Sequence, residues 1–503
     1  MSEGAWRGDQ KETPIRSNVD QSYRTFLAEL EEQGELVRFD AEVDPENNMS
    51  AIEWKTYNEL GKASLFTNII GHEGWRACSQ IVADRKKWSI GLGIPEERLL
   101  QEVSKRLAAP IKPTVSQVPA PVKEVRLADG LADLLDLPTT KVSSRDAGRY
   151  IPSGITFLRD PDTGVQNLSL HRQQIKGRDR TGFIMLPRHA RQIYDKYSAR
   201  GLPTPVAIAI GVHPAIWLAA GYTTAPGVNE LDLAGGLLGQ GVRVVKCETS
   251  DIMAPADAEI ILEGELIADD YLEPEGPFGE VTGSYPDAGQ GHVFKLKAIT
   301  RRRDAIYYAL HCGFPPTDTQ STTGFGIELA TLAHLRSVDG GLDLLDVRLL
   351  TVSGLMTLVI KLRPRVEGQA KIALMAALAG PYQQPKMAIA VDDDIDAGDL
   401  RQIMWSMATR VRADRDVTVI PNVKVWGLDN ASPVVPGVEA FQRIGAKWMI
   451  DATKPAVTLP HERARFDKAL PPNLDSVDLS DFLPENLTLP RVQRRDGRVG
   501  SNS

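Results

Sequence analysis

The sequence predicts an α+β protein of several domains, with an α/β domain at each end and a mostly antiparallel sheet or barrel between them. Its 503 residues suggest about three domains, at roughly 150 residues each. Helical and strand patterns alternate near both ends, whereas the middle carries short strand-like runs separated by Gly and Pro turns. The predicted division is a flexible tail over 1–21, a first domain over 22–115, a central domain over 116–320, a last domain over 321–455 and an extension over 456–503.

The first domain is predicted to open with a helix followed by a strand. Ser22 is a candidate N-cap, and Leu27 and Leu30 follow it at helical spacing. Gly34 is the expected stop before a strand over 36–39. The alternation continues with helices near 50–60, 84–92 and 95–108 and a strand over 64–70.

The central and last domains differ in their patterns. Strand-like runs dominate the centre, at 206–212, 242–245, 260–262 and 293–296. In the last domain, helical patterns over 327–335, 371–379 and 400–409 alternate with apolar strands over 344–351, 355–362 and 386–391. The chain ends in a segment with arginines at 491, 494, 495 and 498, which is typical of a solvated basic tail.

Composition excludes several classes of function. The net charge is −8, so the average field repels nucleic acid and anionic lipid, and neither is an expected partner. The three cysteines form no Cys-x-x-Cys pair, which disfavours a disulfide framework and a thiolate zinc site. A polar N-terminus and the lack of any run of 18 apolar residues predict a cytoplasmic protein without a membrane span.

Several common motifs of nucleotide-binding and hydrolytic sites are missing or incomplete in the sequence. The Gly-rich run GGLLGQG at 235–241 lacks the Gly-Lys-Ser/Thr of a phosphate loop. Gly91 and Gly93 begin a dinucleotide fingerprint, but Glu96 stands in place of its third glycine. The Gly-x-Ser-x-Gly and His-Glu-x-x-His motifs are missing, so hydrolase and zinc-protease functions lose their main support.

The stretch richest in potential chemistry is EPEGPFGE at 273–280. Its glycines and proline would bend the backbone, so that Glu275 and Glu280 could face one cavity while Phe278 shields them from water. A desolvated carboxyl beside a second one holds a proton near neutral pH, as a general acid must. On spacing alone, a surface turn with solvated glutamates is the stronger interpretation.

A second polar group of residues is NLSLHR at 167–172, followed by Arg188 and His189. Arg172 could clamp a carboxylate, because a guanidinium pairs with that group through two hydrogen bonds. Asn167 and His189 could give one oxygen and one nitrogen to a divalent metal. A lone Arg or His is more often a satisfied structural residue, and spacing leaves both interpretations open.

Together these residues resemble the UbiD decarboxylases, a family that uses prenylated FMN. The resemblance is carried by 167–172, by GFIMLPRH at 182–189, by VKC at 245–247 with PADAEIILEG at 255–264, by EGPFGE at 275–280 and by DDID at 393–396. It implies an N-terminal α/β domain, a central split β-barrel like that of flavin reductases that binds the cofactor, and a C-terminal α/β domain used in oligomerisation. A homodimer or homohexamer is expected.

The resemblance implies reversible, non-oxidative decarboxylation of an aromatic or heteroaromatic acid, polycyclic ones included, through a covalent adduct with prenylated FMN. Carried over by position, Glu280 is the proton donor, and Arg172 and Glu275 complete its network. Asn167 and His189 match two ligands of a divalent Mn or Mg ion at the cofactor phosphate, and K+ is a further implied cation. The expected cofactor contacts are Asn167, Ser169, Leu170, Arg172, Arg188, His189 and Lys246. Val281, Arg188 and the segment 311–320 are expected to line the pocket for the acid and CO₂, and a flavin prenyltransferase is the expected supplier of cofactor.

One departure concerns the third metal ligand, which in the family is a glutamate just before the Val-Lys-Cys segment. The aligned residue is Arg243, and a cation cannot ligate a metal. Glu230 could take over, Arg243 could contact the phosphate directly, or the metal site could be altered. The departure also motivates an alternative function as a non-catalytic or assisting subunit of a multiprotein aryl carboxylase, and a flavin reductase is a third possibility.

Overall fold

A computed structural model describes residues 14–128, 130–286, 288–338, 341–433 and 443–484. Residues 1–13 of the predicted tail and the arginine-rich end at 491–498 lie outside the described residues. Residues 14–21, predicted to belong to the tail, instead contact the protein: Val19 is buried, and its N–H donates to Leu238 O (2.9 Å). The segment is held in place because burial of the apolar Val19 side chain in the core removes it from water.

The N-terminal domain combines a small sheet with four helices. Its helices are α1 (Tyr23–Glu32), α2 (Met49–Leu60), α3 (Arg85–Leu92) and α4 (Leu99–Leu107), and its strands are β1 (Leu36–Phe39), β2 (Ala63–Phe66) and β3 (Arg76–Ser79). The predicted N-cap is confirmed, since the Ser22 side chain accepts from Thr25 N–H. The sheet order is β1-β2-β3-β17, and β17 (Ile306–Tyr308) comes from the end of the central domain and pairs with β3 in parallel.

The central domain is built on a ten-stranded sheet whose strand pairs are all antiparallel. Its strands are β5 (Val125–Leu127), β6 (Tyr150–Ile151), β7 (Ile155–Arg159), β8 (Gln166–Leu170), β9 (Gln173–Ile175), β10 (Arg180–Phe183), β11 (Thr204–Ile210), β14 (Ile260–Leu266), β15 (Leu272–Glu275) and β16 (Gly289–Arg301). The main path is β6-β9-β10-β16-β14-β11-β7-β8, and β5 and β15 also pair with β16. Among the described residues β6 and β8 do not pair to close the sheet, so the split barrel stays a prediction.

Helices α5 (His189–Ser198), α6 (Pro214–Gly221) and α7 (Glu230–Leu238) all contact β8. A three-stranded sheet of β4 (Thr114–Val115), β12 (Arg243–Lys246) and β13 (Met253–Pro255) lies beside them. The glycines of the 235–241 run permit close packing rather than phosphate binding. A Cβ at Gly235 would lie only 2.1 Å from Ile111 O, so α7 can approach the chain after α4 only with glycine there.

The C-terminal domain is a five-stranded mixed sheet of order β18-β19-β20-β22-β21 with helices packed on it. Its strands are β18 (Asp343–Leu349), β19 (Thr357–Arg363), β20 (Met387–Val391), β21 (Val417–Lys424) and β22 (Ile444–Ala452), and its helices are α8 (Asp318–Val338), α9 (Gln369–Leu378), α10 (Leu400–Arg410), α11 (Ala413–Asp416) and α12 (Pro460–Ala464). One continuous hydrophobic core runs through all three domains. The predicted mixed α+β class is therefore confirmed, and no helix among the described residues is long and apolar enough to span a membrane.

Candidate active site

Arg172 joins the two glutamates of the 273–280 segment. Its Nε donates to Glu275 Oε1 (3.0 Å) and its Nη2 to Glu275 Oε2 (2.5 Å), which is a two-point clamp. The remaining nitrogen, Nη1, donates to Glu280 Oε1. The Glu275 side chain is completely buried, while Arg172 and Glu280 keep 16% and 13% of their side-chain surface exposed. The solvated turn that spacing alone favours is therefore wrong, because both carboxylates turn inward to one guanidinium.

The local backbone explains why these side chains converge. Arg172 lies in the short link between β8 and β9, and Glu275 is the last residue of β15. Gly276 then takes φ +90°, a conformation that favours glycine, and its N–H donates to Gln174 Oε1 (3.3 Å). A little further on, the buried Asp146 carboxylate accepts from Gly279 N–H (2.8 Å). The bend at 276–279 is thus held from two sides, and Glu280 follows it.

An aromatic layer covers the cluster. Phe278 is buried, and the Arg172 guanidinium carbon lies 5.0 Å from the centre of its ring. The Tyr150 ring packs against Phe278, with ring centres 4.5 Å apart. Burial raises the pKa of Tyr150 above its ordinary value, so its phenol stays neutral. Phe278 therefore shields the pair from water, as the sequence predicts.

A second polar cluster forms where α7 meets β8. Asn167 Nδ2 donates to Glu230 Oε1 (3.0 Å), and Leu168 N–H donates to Glu230 Oε2 (2.8 Å). Thr224 Oγ1 also donates to Glu230 Oε1 (3.1 Å). Burial raises the pKa of Glu230, although these hydrogen bonds oppose the shift. Asn167 Oδ1 is buried with no hydrogen-bond partner among the described residues, so an oxygen ligand is left open beside a carboxylate.

His189 and Arg188 stand at the start of α5, which contacts the strand that carries Asn167. The His189 side chain is half-buried and makes no hydrogen bond within the described part of the chain, and Arg188 is exposed. Ser169 Oγ lies 3.3 Å from Nδ1 of His171, a histidine whose pKa burial lowers to about 4. Leu170 packs against the core.

Lys246 and Arg243 lie on β12. Lys246 is paired with Asp251 (2.5 Å) in the same hairpin and is 63% exposed, so no described contact brings it to Arg172 or Asn167. Arg243 is clamped by Asp257 through two hydrogen bonds of 3.0 and 2.7 Å. Its guanidinium is therefore engaged by a carboxylate, while Glu230 occupies the place next to Asn167.

The described residues hold one acidic group with metal-like spacing, Asp392 to Asp394. Arg463 pairs with Asp392 and Asp393, and Arg410 pairs with Asp394 (2.7 Å). These cations already neutralise the carboxylates, so Asp392, Asp393 and Asp394 form a structural ion-pair cluster that includes the first two residues of the DDID segment.

Three family models match successive parts of the chain. The N-terminal, Rift-related and C-terminal domains of 3-octaprenyl-4-hydroxybenzoate carboxy-lyase match residues 27–107, 113–315 and 321–452. The chain belongs to the UbiD family. It is a carboxy-lyase of that family, and the three matched segments follow the order of the three observed domains.

Individual UbiD-family relatives agree over nearly the whole length. A phenolic acid decarboxylase of Bacillus subtilis (strain 168) is 32% identical over 464 residues, which are 90% of this chain and 95% of that protein. The UbiD-class enzyme HmfF from Pelotomaculum thermopropionicum, solved with FMN, is 34% identical with a TM-score of 0.84 and covers 92% of this chain and 100% of its own. Its evolved dimeric form with prFMN gives 33% and 0.81 over 92% and 100%. Apo 3,4-dihydroxybenzoic acid decarboxylase (AroY) of Klebsiella pneumoniae is 27% identical with a TM-score of 0.82, over 93% and 100%.

Part of this candidate site has no clear signal in the sequence. Asp146, Tyr150 and Gln174 hold or cover the bend at 276–279, but nothing in their spacing links them to it. The sequence offers Glu230 only as one of several alternatives for the third metal ligand. The available signal was its position directly after the helix cap Asn229, which places its carboxylate at the buried start of α7.

Proposed function

We propose that this chain catalyses the reversible, non-oxidative decarboxylation of an aromatic or heteroaromatic carboxylic acid with prenylated FMN. The observation that carries the proposal is the buried cluster of Arg172, Glu275 and Glu280, found within a UbiD-family chain. UbiD-class relatives solved with FMN and prFMN, and relatives named for aromatic acids, support the cofactor and the substrate class. When bound, prenylated FMN would supply a covalent electron sink for the electron pair that the departing CO₂ leaves on the ring.

The proton chemistry follows from the charge balance of the cluster. A single guanidinium neutralises a single carboxylate, and Arg172 gives two hydrogen bonds to the fully buried Glu275. Glu275 is therefore the partner that stays ionised, and Glu280 is the carboxyl that holds a proton. Glu280 is also the more exposed of the two. In the decarboxylation direction it would deliver its proton to the ring carbon that has lost CO₂, and in carboxylation it would remove that proton.

The cluster around Asn167 suits the metal that would hold the cofactor phosphate. Asn167 Oδ1 and the Glu230 carboxylate are hard oxygen ligands, which Mn²⁺ and Mg²⁺ prefer. An unpartnered buried carbonyl oxygen is the feature that a bound cation would satisfy. His189, on the helix that contacts β8, would complete the set. Arg243 need not substitute for a ligand, which removes the motive for an assisting, non-catalytic subunit.

Removing the Glu230 carboxylate tests this metal assignment. Glu230→Gln is expected to lower the divalent metal and flavin content of the purified protein by at least about 10-fold, because a ligand charge is lost. Metal analysis and flavin absorbance measure both contents. Arg243→Gln is the matched control, and it is expected to keep both. Loss of metal from the Arg243 variant alone would contradict the assignment.

Several further properties are part of the proposal. Ser169, Leu170 and Arg188 are proposed to contact the cofactor from β8 and the start of α5, and a split barrel is the proposed form of the central sheet. A flavin prenyltransferase would supply the cofactor in the cytoplasm, and the chain would act as a homodimer or homohexamer. K+ is proposed as an additional cation, for which the described residues give no ligand set.

Production of the chain together with a flavin prenyltransferase tests the function. The purified protein should carry flavin absorbance and release CO₂ from members of a panel of aryl acids, and it should exchange CO₂ into the acid. If the protein shows no flavin absorbance and releases no CO₂ from any of the acids, the proposal is refuted. Oxidation of NAD(P)H instead would identify a flavin reductase.

A further inference from the structure

A cavity of about 580 Å³ is lined by residues of α2, by residues 141–144 and by His311 and Phe314. Its wall includes Ser143, whose Oγ would lie 2.5 Å from a Cβ at Gly279, directly before Glu280. His311, the first residue of another segment, also lines the cavity. Gln320 Nε2 ties that segment to the residue after Glu280, because it donates to both Val281 O and Gly313 O (2.8 Å each). Ser143 and the segment after His311 therefore connect the cavity to the backbone on either side of Glu280, while the side chains of Arg172, Glu275 and Glu280 do not line it.

The lining combines flat aromatic surface with polar groups. Trp54 and Phe314 contact each other at one side, with the Trp54 indole N–H donating to Phe314 O (3.0 Å). Lys141, which has no ion-pair partner within the described residues, lines the same cavity. Such a lining suits an aromatic ring that carries an oxygen-bearing substituent.

His311 is the polar group in this wall that is held most firmly. It is buried, and its Nδ1 lies 3.2 Å from Oε2 of Glu53, a buried residue of α2 in the N-terminal domain. Because Nδ1 is occupied, Nε2 is the ring nitrogen left to bond a group in the cavity. Burial raises the pKa of the neighbouring Cys312 thiol to about 12, and the positive charge of Arg172 opposes this rise.

Burial favours the neutral forms of both Glu53 and His311. It raises the pKa of the Glu53 carboxyl well above its ordinary value and lowers the pKa of His311 to about 4. In a neutral pair the Glu53 O–H donates to Nδ1, so that Nε2 carries the hydrogen. A hydrogen bond from the Ser79 side chain lowers the pKa of the Glu53 carboxyl, against the larger effect of burial. The contact of this buried carboxyl with His311 links it to the cavity that His311 lines.

We infer that His311 Nε2–H, positioned by Glu53, donates a hydrogen bond to an oxygen substituent on the substrate ring, away from the carboxylate that is lost. The inference rests on the proposed decarboxylase function and narrows its substrate class. Preferred substrates are aromatic acids that carry a hydroxyl or a second carboxylate, not bare hydrocarbon rings. Glu53 is a positioning residue, since it acts through His311.

Matched acids test the inference on the holoenzyme. The pairs are 4-hydroxybenzoate and terephthalate against benzoate, and 6-hydroxy-2-naphthoate against 2-naphthoate. The readout is the ratio of kcat/KM for the substituted acid to that for the bare acid. His311→Phe is expected to lower this ratio about 10-fold, the scale of one lost hydrogen bond, mainly through KM. His311→Gln, whose amide offers N–H, should restore part of it.

The Glu53 variants separate positioning from packing. Glu53→Leu should lower the ratio as His311→Phe does, whereas Glu53→Gln should keep it, because its amide N–H can donate to Nδ1. The exposed residues Glu32 and His461 supply the control variants Glu32→Gln and His461→Phe, which should leave the ratio unchanged. A Glu53→Gln ratio as low as that of Glu53→Leu would overturn the neutral arrangement.

Calorimetric Kd values for the same acids give a readout independent of turnover. An unchanged ratio of Kd values in His311→Phe would overturn the inference, even with decarboxylation intact. If the ratio of Kd values changes in His311→Phe while the parent protein releases no CO₂ from any of the acids, the pocket assignment is supported and the decarboxylase function is refuted. Comparison of the hydroxy acids with terephthalate shows whether the site binds a hydroxyl or a second carboxylate.

Discussion

Replacing Glu280 by glutamine is expected to lower kcat by more than about 10²-fold, the low end of the contribution of a general acid. The amide has the size of the carboxyl and its oxygen can still accept from Arg172 Nη1, so the cluster should remain assembled. It has no acidic proton to give to the ring carbon. The variant should therefore fold and carry flavin as the parent protein does.

Turnover on an aryl acid and flavin absorbance, measured on the same preparation, separate loss of chemistry from loss of cofactor. Glu273→Gln is the matched control from the same segment. Glu273 pairs with the cations Lys176 and Arg180, and no described contact joins it to Arg172. That control should stay within about threefold of the parent, since partly exposed ion pairs contribute little. Near-normal turnover in Glu280→Gln would remove Glu280 from the role of proton donor.

Much of the fold is predictable because local signals decide it. Ser22 and Gly34 bracket α1 and its turn, and the strand pattern at 206–212 corresponds to β11. The addition of a strand from the central domain to the N-terminal sheet is not predictable. Residues 306–308 complete the N-terminal sheet by pairing with β3, and this depends on two segments more than 200 residues apart in the sequence. A three-residue strand carries no signal for such a partner.

The candidate site is likewise predictable in its local features but not in its contacts between distant segments. The glycines and proline of the 273–280 segment predict a bend between two glutamates, and the bend exists. Whether the glutamates face water or protein depends on Arg172 arriving from another strand, which spacing cannot show. In the same way, linear position points to Arg243 as the residue that departs from the proposed set of metal ligands. The fold pairs Arg243 with Asp257 and brings Glu230 to Asn167 through the packing of α7 on β8.

Removal of the Arg172 guanidinium is expected to destabilise the folded protein by about 3–5 kcal/mol and to abolish turnover. Arg172→Leu leaves the fully buried Glu275 carboxylate without the two hydrogen bonds that now neutralise it. A buried, uncompensated charge costs far more than the pair contributes, so most of the loss is the penalty on Glu275.

The double variant Arg172→Leu with Glu275→Leu separates that penalty from catalysis. Because it removes both charges, it should regain most of the lost free energy of unfolding, measured by urea titration, yet remain inactive. The single variant Glu275→Leu should lose less stability than Arg172→Leu, since the 16% exposed Arg172 keeps Glu280 as a partner. Equal stability of Arg172→Leu and the parent protein would mean that Glu275 is already protonated. Glu280 would then be the ionised partner of Arg172, and the assignment of the two carboxyls would have to be reversed.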